Sequence, residues 1–466
     1  MSRLTFLGAV GEVTGSRYLI EIEDFTLLLE CGLRQGGPDA ERRNEEDLGD
    51  LARRVDAVVL SHAHLDHSGL LPRLVRAGYR GPVHCTPGTV DLLEILLRDA
   101  AFIMQKDLEW ENRHRERAGR TLLEPLYSLD DVATTLQLCE PMEYGQARRL
   151  GAGATAIFRD AGHILGSAIV ELTLEVSGRR QRIVFSGDLG NPASVLMHPP
   201  QRVESADVVL LESTYGDRDH RPLEQTLEEF AGILAEAQAD GGNVLIPAFA
   251  VGRTQELLYH LTVLYQQGRV PQQRIFLDAP MGIEVCELYA RSYRQLNQAD
   301  LAALNVPALN DFGEALPPLR VTRSTEESMQ INRLHGGAII IAGSGMCEGG
   351  RIVHHLRHNV SRRGCHVIIV GFQAGGTRGR RLVDGADSIR VHGEDTPVEA
   401  HIHTLGGLSA HAGQSELIGW ASGFRDRPVF HLVHGEPQKQ EMLRTALQEQ
   451  LDADARIPAF GDVIEL

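Results

Sequence analysis

At 466 residues the chain exceeds what one ordinary hydrophobic core accommodates, so two domains are expected. A composition of 42% hydrophobic and 23% charged residues is that of a globular protein and excludes a disordered or fibrous chain. Asp and Glu total 63 against 46 Lys and Arg, a net charge of -17, which opposes loose binding along polyanions; a nucleic acid substrate would need a local attraction.

No apolar run reaches membrane-spanning length, and the opening MSRLTFLGAVGEV lacks the long apolar core of a signal peptide. The expectation is a soluble, cytoplasmic protein without a membrane partner. Cys31, Cys85, Cys139, Cys286, Cys347 and Cys365 show no CxxC spacing, which fits reduced structural thiols better than a disulfide framework.

Short strands open the chain: LTFLG, SRYLIEI with its period of two, and FTLLLECG. DAVVLS then leads into a loop crowded with histidines, and SGLLPRLVRAG reads as a helix stopped at Gly78. Ser128 and Asp131 in YSLDDV form a capping-box pattern that starts another helix. The strands TAIFRD, SAIVELTLEV, RQRIVFSG and DVVLLES follow. After Glu212 the pattern becomes a regular alternation. Helices near Leu223–Ala239, Thr254–Gln267, Gly282–Asn297 and Arg351–Val360 are interleaved with NVLIPAF, RIFLD, AIIIA and HVIIVGF, which predicts a parallel sheet wrapped by helices. The tail returns to the first style with VEAHIHTL, a helix near Gln414–Ser422, PVFHLVHG and a helix from Pro437. A first domain interrupted by an inserted second one is expected, over 1–208 and 379–466 with the insertion at 209–378.

LSHAHLDHSG, Leu60 to Gly69, places His62, His64, Asp66 and His67 within six residues just after a buried strand. His62 and His64 can aim at one ion while Asp66 and His67 turn toward a second, and imidazole with carboxylate suits Zn²⁺. Two ions need more ligands. His163 in DAGHILGSA and Asp188 in FSGDLG are the candidates, each at a strand end beside glycines that let the backbone pass close to a site; a carboxylate such as Asp188 can bridge two ions.

HAHLDH, GHILGS and SGDLG, in that order and spacing, resemble the metallo-β-lactamase superfamily, whose αββα fold holds two zinc ions at one edge of a β-sandwich. LLESTYG with Glu212, LSAHAG with His411 and LVHGE with His434 resemble the motifs of its β-CASP nuclease branch. PAFAVGRTQELL, LDAPMG, GSGMCEGGR and GFQAGGTRGRRL match that branch too, and the nearest family looks like the bacterial and archaeal relatives of the cleavage and polyadenylation endonuclease subunit. The resemblance implies an α/β protein, an αββα sandwich with an inserted α/β (β-CASP) domain. It puts His62, His64 and His163 on one zinc ion and Asp66, His67 and His434 on the other, with Asp188 bridging. Asp66, Glu212 and His411 would form the catalytic set, His411 giving a proton to the leaving 3′ oxygen and Glu212 orienting its ring. Two zinc ions lower the pKa of water to about 7 and clamp the phosphoryl oxygens. The expected reaction is hydrolysis of single-stranded RNA to 5′-phosphate and 3′-hydroxyl ends, by endonuclease and also exonuclease action, in a monomer or homodimer.

Ser344 and Gly345 in GSGMCEGG, Gln373, Thr377 and Arg378 in GFQAGGTRGRR, and Ser409 in LSAHAG are the expected substrate contacts; Arg380 and Arg381 extend a basic strip that would attract a polyanion. Two positions depart from the family: Glu30 in LLLECG stands where Asp is usual, and Gly375 where relatives are often acidic. His354 and His355 read as structural or surface residues on a helix. His401 and His403 alternate on one face of VEAHIHTL, where a packed or solvated pair is the simpler reading than a further metal site. Lys106 to Arg117 reads as a solvated helix face. The competing functions are a DNA-directed β-CASP nuclease, which keeps the mechanism, a small-molecule metallohydrolase, which needs neither the insertion nor His411, and an inactive RNA-binding scaffold.

Overall fold

A computed structural model of the chain describes residues 2–466 apart from 37, 177, 273, 305–311 and 372. These residues form two compact units: Met1–Pro192 with Pro199–Asp219 and His411–Leu466, and Ala193–His198 with His220–Ala410.

The first unit contains two seven-stranded sheets. One runs in the order Val463–Glu465, Ser2–Phe6, Tyr18–Ile22, Phe25–Leu29, Ala57–Val59, Val83–Cys85, Cys139–Pro141. The other runs Ala455–Arg456, Val429–Val433, Val208–Glu212, Arg179–Phe185, Ala168–Val176, Ala154–Asp160, Arg148–Gly151. Period-two patterning explains their stacking. Phe6, Tyr18, Ile20 and Leu29 meet Phe158, Val170, Phe185 and Leu210 in one core between the sheets. Val209 and Leu211, on the opposite face, pack with Leu417, Trp420, Leu443 and Leu447 of the helices Gln414–Ala421 and Pro437–Leu451. A helical layer against a sandwich of sheets is the expected αββα arrangement.

The second unit has a parallel six-stranded sheet in the order Leu319–Val321, Arg274–Leu277, Ala338–Ala342, Val244–Pro247, His366–Ile369, His401–Thr404. The helices Leu223–Asp240, Arg253–Gln266, Pro280–Arg291 and Gly350–Asn359 fall between its strands in sequence, as the alternation predicts.

Several elements differ in extent. The segment expected as one helix up to Gly78 is two, Leu65–Ser68 and Leu71–Arg76, because Gly69 closes the first turn and Pro72 opens the next. The helix expected to reach Asn297 ends at Arg291, since Asn297 caps the following helix Gln298–Ala303 by accepting a hydrogen bond from Ala299 N. The solvated run 106–117 is the exposed end of a 31-residue helix, Pro87–Arg117, anchored by buried Leu92, Leu93, Leu96 and Leu97. HVIIVGF contributes the strand His366–Ile369, and Phe372 at its end lies outside the described residues. VEAHIHTL does not join the strands of the tail: His401–Thr404 pairs with His366–Ile369 as an edge strand of the parallel sheet. None of the six cysteines forms a disulfide.

Candidate metal centre

Strand polarity gathers the site. Arg179–Phe185, Val208–Glu212 and Val429–Val433 are parallel neighbours, so their C-terminal ends bring Asp188, Glu212 and His434 to one edge of a sheet. Phe25–Leu29 and Ala57–Val59, parallel in the facing sheet, end at Glu30 and at the loop carrying His62 and His64. Asp66 and His67 lie in the short helix Leu65–Ser68, and His163 sits in the turn between Ala154–Asp160 and Ala168–Val176. The turns of His163 and Asp188 touch backbone to backbone. Gly190 N donates to Ala161 O at 2.8 Å, and a Cβ at Gly190 would fall 1.9 Å from Gly162 O, so only glycine permits the approach.

Two groups of ligand atoms result: His62, His64, His163 and Asp188, and Asp66, His67 and His434. In the first, His64 Nδ1 lies 3.2 Å from both His62 Nε2 and His163 Nε2. In the second, His434 Nε2 is 3.2 Å from His67 Nε2 and 3.3 Å from Asp66 Oδ2. Asp188 stands between them. Its Oδ2 is 3.5 Å from His62 Nε2 and 3.7 Å from His163 Nε2, while its Oδ1 is 3.3 Å from His67 Nε2 and 3.6 Å from His434 Nδ1.

The hydrogen bonds behind the rings fix which nitrogen faces inward. Ser61 Oγ donates to Glu30 Oε2 at 2.9 Å, so it accepts from His62 Nδ1 at 3.0 Å and leaves Nε2 unprotonated. His67 Nδ1 donates to Glu30 Oε2 at 2.5 Å and His434 Nδ1 to Thr214 Oγ1 at 3.1 Å, which turns each Nε2 inward. Burial disfavours a charged His67, but Asp188, Asp66 and Glu30 outweigh it and raise its pKa, so a cation there would displace a proton. Glu30 also accepts from Ser61 N at 2.6 Å, so a single fully buried carboxylate braces a histidine of each group. Glu30 was singled out in the sequence as a departure; Ser61 and Thr214 were not, although both sit inside the motifs LSHAHLDH and LLESTYG.

Burial lowers the pKa of His62 and of His64, favouring the neutral imidazole that binds metals. Burial works against ionised Asp66, but His67 and His434 outweigh it and bring its carboxyl down to about 2. Asp188 is held well below the usual carboxylate range in the same way, burial opposing and His434 and His67 prevailing.

This donor set fits divalent cations. Edges of about 3.3 Å are what nitrogen donors at 2.0–2.1 Å make around a tetrahedral zinc ion. Asp188 Oδ1 is buried and makes no hydrogen bond, as a carboxylate oxygen reserved for a cation would be.

Glu212 and His411 lie beside this centre. Buried Glu212 accepts from Leu189 N at 2.7 Å, and its Oε1 is 3.3 Å from His411 Nδ1. His411 Nδ1 is 3.9 Å from Asp188 Oδ2, and its ring lies tilted by 45° to that of His163 with centroids 4.6 Å apart. Burial disfavours a charged His411, but Glu212, Asp188 and Asp66 outweigh it and raise its pKa to about 9. The His411 and Asp66 side chains are each 22% exposed, whereas His62, His67, His163, Asp188 and His434 are nearly or fully buried.

The sequence matches three domain families: the Metallo-beta-lactamase superfamily over residues 10–238, the Beta-Casp domain over 254–382, and the Zn-dependent metallo-hydrolase RNA specificity domain over 395–458. It is 43% identical over 438 residues to Ribonuclease TTHA0252 of Thermus thermophilus, covering 94% of each chain. The chain belongs to the β-CASP family of the metallo-β-lactamase superfamily. Transcription termination factor FttA of Pyrococcus abyssi is 29% identical over 488 residues, covering 100% of this chain and 71% of that one. A protein of unknown function from Enterococcus faecalis shares the fold over 100% of both chains, with a TM-score of 0.53 and 12% identity.

In the β-CASP unit, five of the six expected substrate contacts meet around two loops. Ser344 Oγ accepts from Glu348 N and Gly349 N at 3.1 and 3.2 Å. Gln373 Nε2 donates to Gly345 O at 3.0 Å, and Thr377 Oγ1 caps the helix Arg378–Val383 by accepting from Arg380 N at 3.2 Å. Arg378 donates to the carbonyls of Cys347 and, at 2.8 Å, Arg390. Ser409 lies apart from these loops and accepts at its carbonyl from Ser194 Oγ at 3.1 Å. Arg380 pairs with Asp384 and Arg381 donates to Ser388 O, so the three arginines that read as a basic strip also hold their own helix in place. His355, fully buried, bonds Asp278 Oδ2 at 2.6 Å, a structural role as expected.

Proposed function

We propose that the protein is a ribonuclease that hydrolyses phosphodiester bonds of single-stranded RNA in the cytoplasm, as an endonuclease that also acts as an exonuclease. The observation that carries the hydrolytic reading is Asp188, whose two carboxylate oxygens face two separate groups of histidines. His62, His64 and His163 would hold one divalent ion, Asp66, His67 and His434 a second, with Asp188 shared. Bound there, two zinc ions supply Lewis acidity to the phosphoryl oxygens and lower the pKa of water to about 7. The choice of RNA rests on the RNA specificity domain and on the identity with a ribonuclease.

The chain's own residues do the rest. Glu30, Ser61 and Thr214 keep the ligand rings in one tautomer, so the centre is organised before substrate arrives. Glu212 holds His411 by its Nδ1, which assigns Nε2 as the atom that gives a proton to the leaving oxygen. Water attacks phosphorus and gives up a proton to solvent, the bond to the 3′ oxygen breaks, and the proton from His411 completes the 3′ hydroxyl; the phosphate stays on the 5′ oxygen of the downstream product. Ser344, Gly345, Gln373, Thr377, Arg378 and Ser409 are assigned to the RNA backbone.

The test is incubation with end-labelled RNA and with DNA of matching sequence, with and without a chelator. Chelator-sensitive cleavage of RNA with 5′-phosphate and 3′-hydroxyl products is expected. Cleavage of DNA alone would overturn the substrate, and cleavage unaffected by metal removal would overturn the mechanism.

A further inference from the structure

The β-CASP unit carries a second convergence of metal donors. His366 and His401 face each other across neighbouring parallel strands, and His403, two residues beyond His401, returns to the same face. The helix Leu223–Asp240 places Glu236 and Asp240 one turn apart at its C-terminal end, beside these strands. Asp240, His366 and His401 form one triad of donor atoms within 4.8 Å of one another; Glu236, His366 and His403 form a second.

We propose that Asp240, His366 and His401 bind a divalent transition-metal ion of the zinc, nickel or copper class, supported by His403 and Glu236. Asp240 Oδ2 lies 3.1 Å from His366 Nε2 and 3.7 Å from His401 Nε2, spacings close to the edges of a tetrahedral site. The two rings stack at 4.7 Å with both Nε2 atoms at one carboxylate oxygen. Only the nearer nitrogen can make a hydrogen bond to it, whereas a cation engages all three atoms. His366 Nδ1 lies 2.9 Å from His403 Nε2, so it can donate there and present an unprotonated Nε2 to the ion. Imidazole with a carboxylate selects transition metals over magnesium or calcium. Glu236 adds negative charge beside His403, and the carbonyl end of the helix also favours a cation.

Access and burial are divided as a binding site requires. His366 is fully buried and fixes the geometry, while His401 and Asp240 side chains are 48% and 37% exposed and leave a way in from solvent. An ion there ties the end of the helix to the exposed edge strand His401–Thr404 and covers an edge that is otherwise open to pairing. HxH was the only trace of this in the sequence. His366 lies 35 residues earlier and Asp240 another 126, so the strand register had to be known first.

Zinc binding to the full chain, measured by equilibrium dialysis, tests the proposal, with a cobalt(II) absorption spectrum as a second readout. The wild type is expected to bind one equivalent more than His401→Ala and than Asp240→Asn, and each variant to lose the matching cobalt band. Asp188→Asn is expected to keep that equivalent, which separates this site from the centre around Asp188. Should His401→Ala fail to fold, Asp240→Asn, a change at an exposed carboxylate, carries the test. Retention of the extra equivalent in either folded variant would overturn the assignment.

Discussion

Glu30 Oε2 lies 2.5 Å from His67 Nδ1, and the same oxygen accepts from the Ser61 hydroxyl that holds His62. One carboxylate thus sets the ring orientation of a histidine in each group of donors. Glu30 has a positive φ, 65°, just past the end of its strand.

Shortening this acid should therefore do harm. Glu30→Asp draws the carboxylate back by one bond and cannot keep His67, Ser61 N and Ser61 Oγ together without moving the strand end. Metal affinity is expected to fall roughly 10- to 100-fold, the usual cost of losing such a partner. Competition with a chromogenic chelator measures it; unchanged affinity would show that the backbone adjusts freely.

His411→Ala should lower kcat by about 10²–10⁴, the usual worth of a positioned general acid, while leaving metal content intact. Glu212→Gln should give a smaller loss, since it keeps the hydrogen bond from Leu189 N but weakens the hold on His411. Equal cleavage by His411→Ala would remove this residue from the mechanism.

What the sequence disclosed follows from how local each signal is. HAHLDH packs four donors into six residues, and strand ends flanked by glycine marked His163 and Asp188. The pairing of Glu212 with His411 spans 199 residues and was visible only through the resemblance to a family. Glu30 could be named as unusual, but its effect depends on where the Ala57–Val59 strand delivers Ser61. The arginines 378, 380 and 381 read as a strip for a polyanion because the sequence cannot show that nearby carbonyls and Asp384 engage them. That His401 and His403 pack against His366 and the end of a helix was equally hidden, because those partners come from another strand and from a helix.

Gly190→Ala tests the contact between the two turns. The added methyl would meet Gly162 O at 1.9 Å, so one turn must move. Because His163 and Asp188 ride on these turns, lower metal occupancy should accompany a stability loss of about 1–3 kcal/mol, typical of overpacking. Calorimetry and metal analysis on one preparation check both; full occupancy with full stability would mean the turns yield without moving the ligands.

Acid sensitivity has a source outside the metal centre in His431. Its ring is buried, 4% exposed, packs 5.5 Å from the Phe6 ring and has no hydrogen-bond partner at Nδ1. Burial, with Arg456 adding to it and Asp454 opposing, lowers its pKa from 6.5 to about 4. The folded protein therefore binds this proton less readily than the unfolded chain. This group costs no stability above pH 6.5, costs progressively more as the pH drops through the range between the two values, and adds no further cost below about 4. At pH 5 the penalty is about 2 kcal/mol. His431→Phe, which keeps a ring against Phe6, should lose less stability than the wild type between pH 7.5 and 5, by roughly that amount. Urea unfolding of both proteins in chelator, which removes the metal contribution from each, gives the difference; identical pH dependence would place the acid-sensitive group elsewhere.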